Sequence, residues 1–504
     1  MTGKWHDWLG GATVLAAYAL ATLPILLRYP PVWPDEVLFC MPAASLMRQG
    51  FLSCDVLTGL VAGMDRYFYW NPPLYFLVLA PLLRVTAPHD YLLVMRLASW
   101  GFGVVFLILG AVILRRISRS SWLTWGTLVL LATHITFIRA ANIGRMEMLT
   151  LACSAASVAA YLRAVDSDRA RWWAAAGLAG GLACASHPVG GFIVTALVLD
   201  RLVILGRRFF RERSEILFLA CVAAPLLAWL VYAAQAPHIF ASQFGGQFIR
   251  KAAATTGEYR PHGVLANILY PVQFGPLPEA THDWGFVAIA VAVAGLFFTQ
   301  ARGRERLRVI GLWALSGLAL NLLVHEEWYP VYFALPVIIL LGACATAARG
   351  RMARVFAVTV IAAGILGNVV QICTLHGKEY LTWKEYQDYS SSIAQVIPPG
   401  SSVVLAAIPD PYFGMLAEGK AYRLLEFVPS GVPVDPYLAE KTLNSTDYVV
   451  DSGCCRSRYL DDYIRAHGTL ATELEVSGHA WPDVRIWRLP RARSTKGDQS
   501  PFHR

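Results

Sequence analysis

Apolar residues in this chain come in long blocks rather than in alternation. From Leu9 to Cys373, runs near the roughly 20 residues needed to cross about 30 Å of hydrocarbon recur between short polar, Pro- or Gly-containing breaks. The blocks predict crossings near residues 9–27, 93–114, 121–138, 147–164, 172–186, 189–206, 215–235, 284–300, 308–324, 330–347 and 355–374, about eleven in all. Pro73 to Val85 is also apolar, but at about 13 residues it is short for a crossing and predicts a re-entrant or juxtamembrane segment. Past His376 the blocks stop and Pro, Gly, Ser, Asp and Glu become frequent. Short stretches at Ser402 to Ala407, Tyr448 to Asp451 and Val484 to Leu489 then read as strands with helices between them. The expected division is a membrane domain over residues 1–375 and a small soluble α/β domain over 376–504.

Composition agrees with this reading. The 504 residues are 56% apolar and 15% charged, against about 25% charged in soluble proteins. The net charge of +9 resides largely in clusters between apolar blocks, such as Arg115-Arg116, Arg207-Arg208 and Arg302-Gly303-Arg304. That is the positive-inside pattern of a polytopic membrane protein, and it argues against a nucleic-acid partner. Placing the clusters inside puts loops 30–72, 139–146, 187–188, 237–283 and 325–329 outside, together with the C-terminal domain. Leu9 to Leu27 lacks a small-residue cleavage site and reads as a retained helix. The nine cysteines show no metal-ligand spacing; Cys40 and Cys54 share one external loop and would suit a disulfide in an oxidising compartment.

The charge rule gathers the unusual polar residues on one face. "WPDE" places Asp35 and Glu36 just past the first crossing, before an amphipathic stretch ending at Gly50. Acids here suit a helix N-terminus, and equally suit chemistry at the membrane surface. "RYFYWNPPLYF" offers Arg66, Tyr69 and Asn71, either as an interfacial aromatic belt or as a wall for a sugar phosphate. "IRAANIGRMEML" carries Arg139, Arg145 and Glu147, where an acid entering a crossing needs an ion-pair partner or a wet cavity. "CASHPVGGF" contributes His187 beside a backbone able to approach a ligand, and the long loop contributes Arg250, Lys251 and Arg260 as phosphate donors. "VHEEWYPVYFALP" adds His325 and Tyr332 at another helix mouth.

Taken in order, "WPDE", Gly50, "YFYWNPP", "GRMEML", "ASHPVGGF" and "WYPVYFALP" resemble the GT-C fold membrane glycosyltransferases. The likeness is to the bacterial aminoarabinose-lipid A transferase and protein O-mannosyltransferase group, glycosyltransferase families 39 and 83. It extends over the membrane region, and only loosely over the C-terminal domain. The resemblance implies an α-helical polytopic enzyme in the bacterial inner membrane, with its site facing the exterior or periplasm. It implies a polyprenyl-phosphate-linked sugar donor, a lipid, glycan or protein acceptor, and Asp35 as catalytic residue, with Glu147 as the second catalytic acid. Glu147 stands where relatives usually carry Asp, Asn71 where many carry Lys, and His187 where Lys is often found. The donor phosphate then falls to Arg66, Arg250, Lys251 and Arg260. No cofactor is expected; a divalent ion held by Asp35 and Glu147 would follow the wider fold, but not the nearer relatives.

The chemistry that suits these residues is inverting transfer, with a base near the acceptor and cations beside the leaving phosphate. Two rivals stand beside it. A lipid or sugar-lipid transporter would use the same face without a reaction, though the chain shows no convincing internal repeat. A membrane-anchored assembly protein would act through its C-terminal domain, where the sequence shows no recognisable site.

Overall fold

The computed structural model describes residues 2–117, 120–247, 249, 290–296, 305–324, 326, 328–348, 351–377, 380–427, 436–453, 458–475 and 483–490. The apolar blocks form helices: α1 (Thr2–Thr22), α4 (Tyr91–Ile117), α7 (Glu147–Ser167), α8 (Ala170–Ser186), α9 (Gly191–Leu205) and α10 (Arg213–Ala233). Three more follow, Glu305–Leu323, Val331–Ala347 and Arg351–Gly377. Among the described residues, six helical segments are long and apolar enough to cross a membrane, or seven if a bent pair forms one span. Both α8 and Val331–Ala347 are regular helices of 17 residues. The block at 284–300 lies mostly outside the described residues. Pro73 to Val85 forms an 11-residue helix, α3 (Leu74–Arg84).

The bent pair corrects one expectation, because the crossing anticipated at 121–138 is not continuous. It consists of α5 (Ser121–Ala132) and α6 (Ile135–Ala141), which meet at 63°. The cause is local. Thr133 Oγ1 donates back to Val129 O at 2.8 Å, and His134 leaves the helix to cap α6, its Nδ1 accepting from Thr136 N at 3.3 Å. Asn368 satisfies the freed end by donating to Leu130 O at 3.0 Å and to Thr133 Oγ1 at 3.1 Å. A break at such depth is tolerated when neighbours satisfy its backbone groups, as happens here.

Helix packing relies on small residues where backbones meet. At Gly177 and Gly181 of α8 a side chain would run into Phe218 O and Val222 O of α10, so the two helices approach closely only because Cβ is absent. α4 packs on α7, α7 on α8, and Glu305–Leu323 bridges α9 and Val331–Ala347.

The C-terminal part contains a five-stranded sheet in the order β2-β1-β3-β5-β4. Its strands are β1 (Ser402–Ala406), β2 (Arg423–Glu426), β3 (Tyr448–Asp451), β4 (Thr469–Leu474) and β5 (Val484–Arg488). The first three are parallel, while β5 runs antiparallel to both β3 and β4. In β1 the side chains alternate between two cores: Val403 and Leu405 join the large core shared with the helices, and Val404 and Ala406 join a smaller one. Leu60, from the loop after α2 (Pro34–Gln49), is buried in that smaller core. The sheet therefore grips the first loop. Asp410 N donates to Val32 O at 2.9 Å, Tyr412 OH to Met41 Sδ at 3.2 Å, and Thr442 Oγ1 to Gly59 O at 2.6 Å.

At this seam two acids meet. Asp410 and Glu426 are fully buried and interact directly, while Asp410 Oδ1 also accepts from Tyr412 N at 2.9 Å. Burial pushes the Asp410 carboxyl up to about 7, and burial followed by the Asp410 charge raises Glu426 well above its usual range.

Candidate functional site

The two acids of "WPDE" have different surroundings. Glu36 is fully buried and its carboxylate receives Arg96 of α4 as a fork, Nε to Oε1 at 2.9 Å and Nη2 to Oε2 at 2.7 Å. Arg96 also donates to Leu26 O at 2.8 Å and to Pro31 O at 3.3 Å, which fixes the chain entering α2. Glu36 Oε1 accepts from Gly144 N at 2.8 Å. That contact needs glycine, since a Cβ there would lie 2.8 Å from Met95 Cβ. One buried ion pair thus ties the start of α2, the N-terminal part of α4 and the loop before α7 into one unit.

Asp35, one residue earlier, points the other way, with its side chain 25% exposed. It pairs with Arg145 Nη1. Arg145 is nearly buried and also engages Glu147, its Nη2 to Oε1 at 2.8 Å and its Nε to Oε2 at 3.2 Å. Glu147 opens α7, where an acid also suits the helix dipole, and its side chain is only 1% exposed. The two carboxylates called catalytic from sequence are therefore joined through one guanidinium, and only Asp35 has appreciable access. Arg145 lies 5.3 Å from the centroid of the Phe39 ring and 4.5 Å from that of Trp328. Arg139, carried by α6 just past the 63° break, lies 4.1 Å from the same Trp328 ring.

His187 and Tyr332 adjoin each other. The imidazole and the Tyr332 ring are stacked with centroids 6.4 Å apart, and Tyr329 OH lies 3.4 Å from His187 Nε2. His187 Nδ1 accepts from Val189 N at 3.1 Å, turning the chain into α9. The Tyr332 hydroxyl is buried without a hydrogen-bond partner among the described residues. Tyr329, next to Trp328 in sequence, links this aromatic group to the arginines.

Arg66 and Tyr69 belong to a different neighbourhood. Tyr69 is fully buried, donating its backbone N to Gln243 Oε1 at 2.8 Å and its hydroxyl to Tyr232 O at 3.2 Å. It packs edge-on against Tyr232 and Phe240, so its contacts attach the first loop to α10. Arg66 is exposed, 5.8 Å from the Tyr67 centroid, and Asn71 is half-buried before α3. Arg250, Lys251, Arg260 and His325 lie outside the described residues. Cys40 and Cys54 are buried free thiols rather than a disulfide.

Sequence reasoning assigned no role to Arg96, Arg139 or Trp328. Arg96 had a visible signal, an arginine inside an apolar block, which demands a buried partner.

The family model described as dolichyl-phosphate-mannose-protein mannosyltransferase matches residues 71–232. No curated protein sequence matches the chain significantly. Among solved structures, the Archaeoglobus fulgidus oligosaccharyltransferase AglB, in complex with an inhibitory peptide and a dolichol-phosphate, superposes with a TM-score of 0.55. The match covers 90% of this chain and 70% of that one at 12% identity. The same enzyme's complex with Zn and sulfate gives a TM-score of 0.56 over 94% of this chain and 73% of that one, at 11% identity. At such identity these structures speak to the fold. The chain thus shares its fold over most of its length with this oligosaccharyltransferase, and its residues 71–232 are similar to the mannosyltransferase family.

Proposed function

We propose that this protein transfers a sugar from a polyprenyl-phosphate donor to an acceptor hydroxyl or amide, with inversion, using Asp35 as the base. The observation that carries the reading is the Asp35–Arg145–Glu147 arrangement, in which one accessible carboxylate is anchored to a buried arginine and a buried acid. The family described by its lipid-linked mannose donor and the neighbour bound to dolichol-phosphate and a peptide support the donor class.

In the reaction Asp35 takes the acceptor proton while the acceptor atom bonds to the anomeric carbon from one face. The bond from that carbon to the phosphate oxygen breaks on the other face, and the electron pair leaves with the polyprenyl phosphate. Guanidinium and ammonium groups neutralise the charge that develops there, a role for Arg139 and Arg145 in the described site and for Arg66, Arg250, Lys251 and Arg260 in the external loops. Glu147 acts through Arg145, and His187, His325, Asn71 and Tyr332 contribute to donor binding, while Tyr69 holds the first loop against α10. The site and the C-terminal sheet face the exterior in this reading, where a lipid, glycan or protein acceptor is met.

The test supplies radiolabelled polyprenyl-phosphate sugars to the purified protein in liposomes, with lipid, glycan and protein acceptor fractions read by mass spectrometry. Label should appear covalently in one acceptor fraction and be lost in Asp35→Asn. Donor that crosses the bilayer with no labelled acceptor would make the protein a transporter instead.

A further inference from the structure

We propose that Trp328 is a positioning residue for this transfer, holding Arg139 and Arg145 on its indole face so that both cations stay beside the leaving phosphate. The proposal rests on the functional reading above and adds a residue to it.

Trp328 touches parts of the chain that are far apart in sequence. Arg139 comes from α6 and Arg145 from the loop before α7, yet their guanidinium carbons lie 4.1 and 4.5 Å from one ring centroid. Trp33, the residue capping α2 two positions before Asp35, meets the same indole edge to face at 6.0 Å. Trp328 is 7% exposed, Arg139 2% and Arg145 6%, so these contacts are screened little by water.

Two buried guanidinium groups repel each other, and in a low dielectric that repulsion is large. Asp35 and Glu147 compensate Arg145 directly. The π face of an indole, the most cation-attracting of the aromatic side chains, attracts both arginines at once without forming a salt bridge to either. A carboxylate in its place would compete with the acids that already engage Arg145, whereas an indole holds both guanidinium groups through its ring and leaves those ion pairs intact.

The experiment replaces Trp328 alone with 5-fluoro-, difluoro- and trifluorotryptophan by nonsense suppression in the full-length protein. Fluorination weakens the ring quadrupole while keeping the shape nearly constant. The expected result is a stepwise fall of kcat/KM for transfer with each fluorine, reaching about tenfold or more for two desolvated cation–π contacts. Trp328→Leu should fall by roughly a hundredfold, with Trp328→Phe recovering part of it. A packing role would give a flat fluorine series, and that result overturns the proposal. Asp35→Asn, measured in parallel, separates the two readings: lost transfer with a flat series removes only the role of Trp328, and retained transfer removes the catalytic reading beneath it.

Discussion

Two of the places where this molecule buries acids neutralise them differently. In the helical part Glu36 and Glu147 each face an arginine, Arg96 and Arg145, at 2.7 and 2.8 Å. At the seam with the C-terminal sheet, Asp410 and Glu426 face each other, and Asp410 Oδ2 and both Glu426 oxygens have no hydrogen-bond donor among the described residues. A carboxylate paired with guanidinium can remain charged out of water, whereas two adjacent buried carboxyls must retain a proton. The first arrangement can keep Asp35 available as a base. The second can only store a proton, and it makes the seam sensitive to pH.

The largest expected effect breaks the comparison at Asp35. Asp35→Asn keeps the shape but removes the proton acceptor, and transfer measured in liposomes should fall by roughly 10² to 10⁴ while the donor still binds. Near-normal turnover would return Asp35 to the role of a helix-terminal acid, where Asn substitutes at little cost.

Glu36 looks from sequence like a neutral control for its neighbour, and the structure shows that it is not. Replacing it with Gln leaves Arg96 buried without its partner, which should cost about 3 to 5 kcal/mol of folding stability. Equilibrium unfolding in detergent measures this. The double variant Glu36→Gln with Arg96→Leu should cost less than the sum of the two single changes, and strict additivity would mean that the pair is not coupled.

The acid pair gives a pH dependence of definite sign. In the unfolded chain both carboxyls ionise near pH 4, while the folded pair retains a proton up to about 7. The folded state then binds more protons than the unfolded state, so stability is full below about pH 4 and declines as pH rises toward 7. The slope should be about 1.4 kcal/mol per pH unit for each retained proton. The groups around the pair are Glu36, Cys40, Arg48, Cys54, Tyr386 and Tyr412. Unfolding midpoints of wild type and of Asp410→Asn with Glu426→Gln, taken at pH 5 and pH 8, should differ in slope and converge toward acid. Parallel curves would show that the pair carries no extra proton.

The smallest effect concerns Tyr332. Its hydroxyl has no partner among the described residues, so Tyr332→Phe removes an unsatisfied buried group and should stabilise the fold by about 1 kcal/mol. A hydroxyl reserved for the donor should instead raise the donor KM several-fold. An unchanged KM would make Tyr332 a packing residue.

Much of this was legible in the sequence because the bilayer restricts the choices. Apolar blocks can only become helices, and acids or arginines at their ends need partners, so Asp35, Arg145 and Glu147 could be gathered on one face before any contact was known. What the sequence left open was pairing. Nothing in "WPDE" says that Glu36 turns to Arg96 and Asp35 to Arg145, because that depends on Gly144 bringing its N–H to Glu36. The break at Thr133-His134 was also hidden, since its satisfaction by Asn368 is more than 230 residues away. In the C-terminal part the largely apolar strands β1 and β3 and the alternating β5 were visible. β2 and β4, with exposed and mixed positions, did not stand out from their surroundings.

The grip of the C-terminal sheet on the first loop also bears on biogenesis. Thr442 reaches Gly59 across 383 residues, and Tyr412 reaches Met41 across 371. At roughly 5 to 20 residues per second, the loop carrying Asp35 waits about 20 to 80 s of synthesis for its last partner. During that interval the helices can insert, but the loop lacks the contacts that hold it. A chain that stops before Tyr412 would thus lack both contacts that hold Met41 and Gly59, on the segment that follows Asp35.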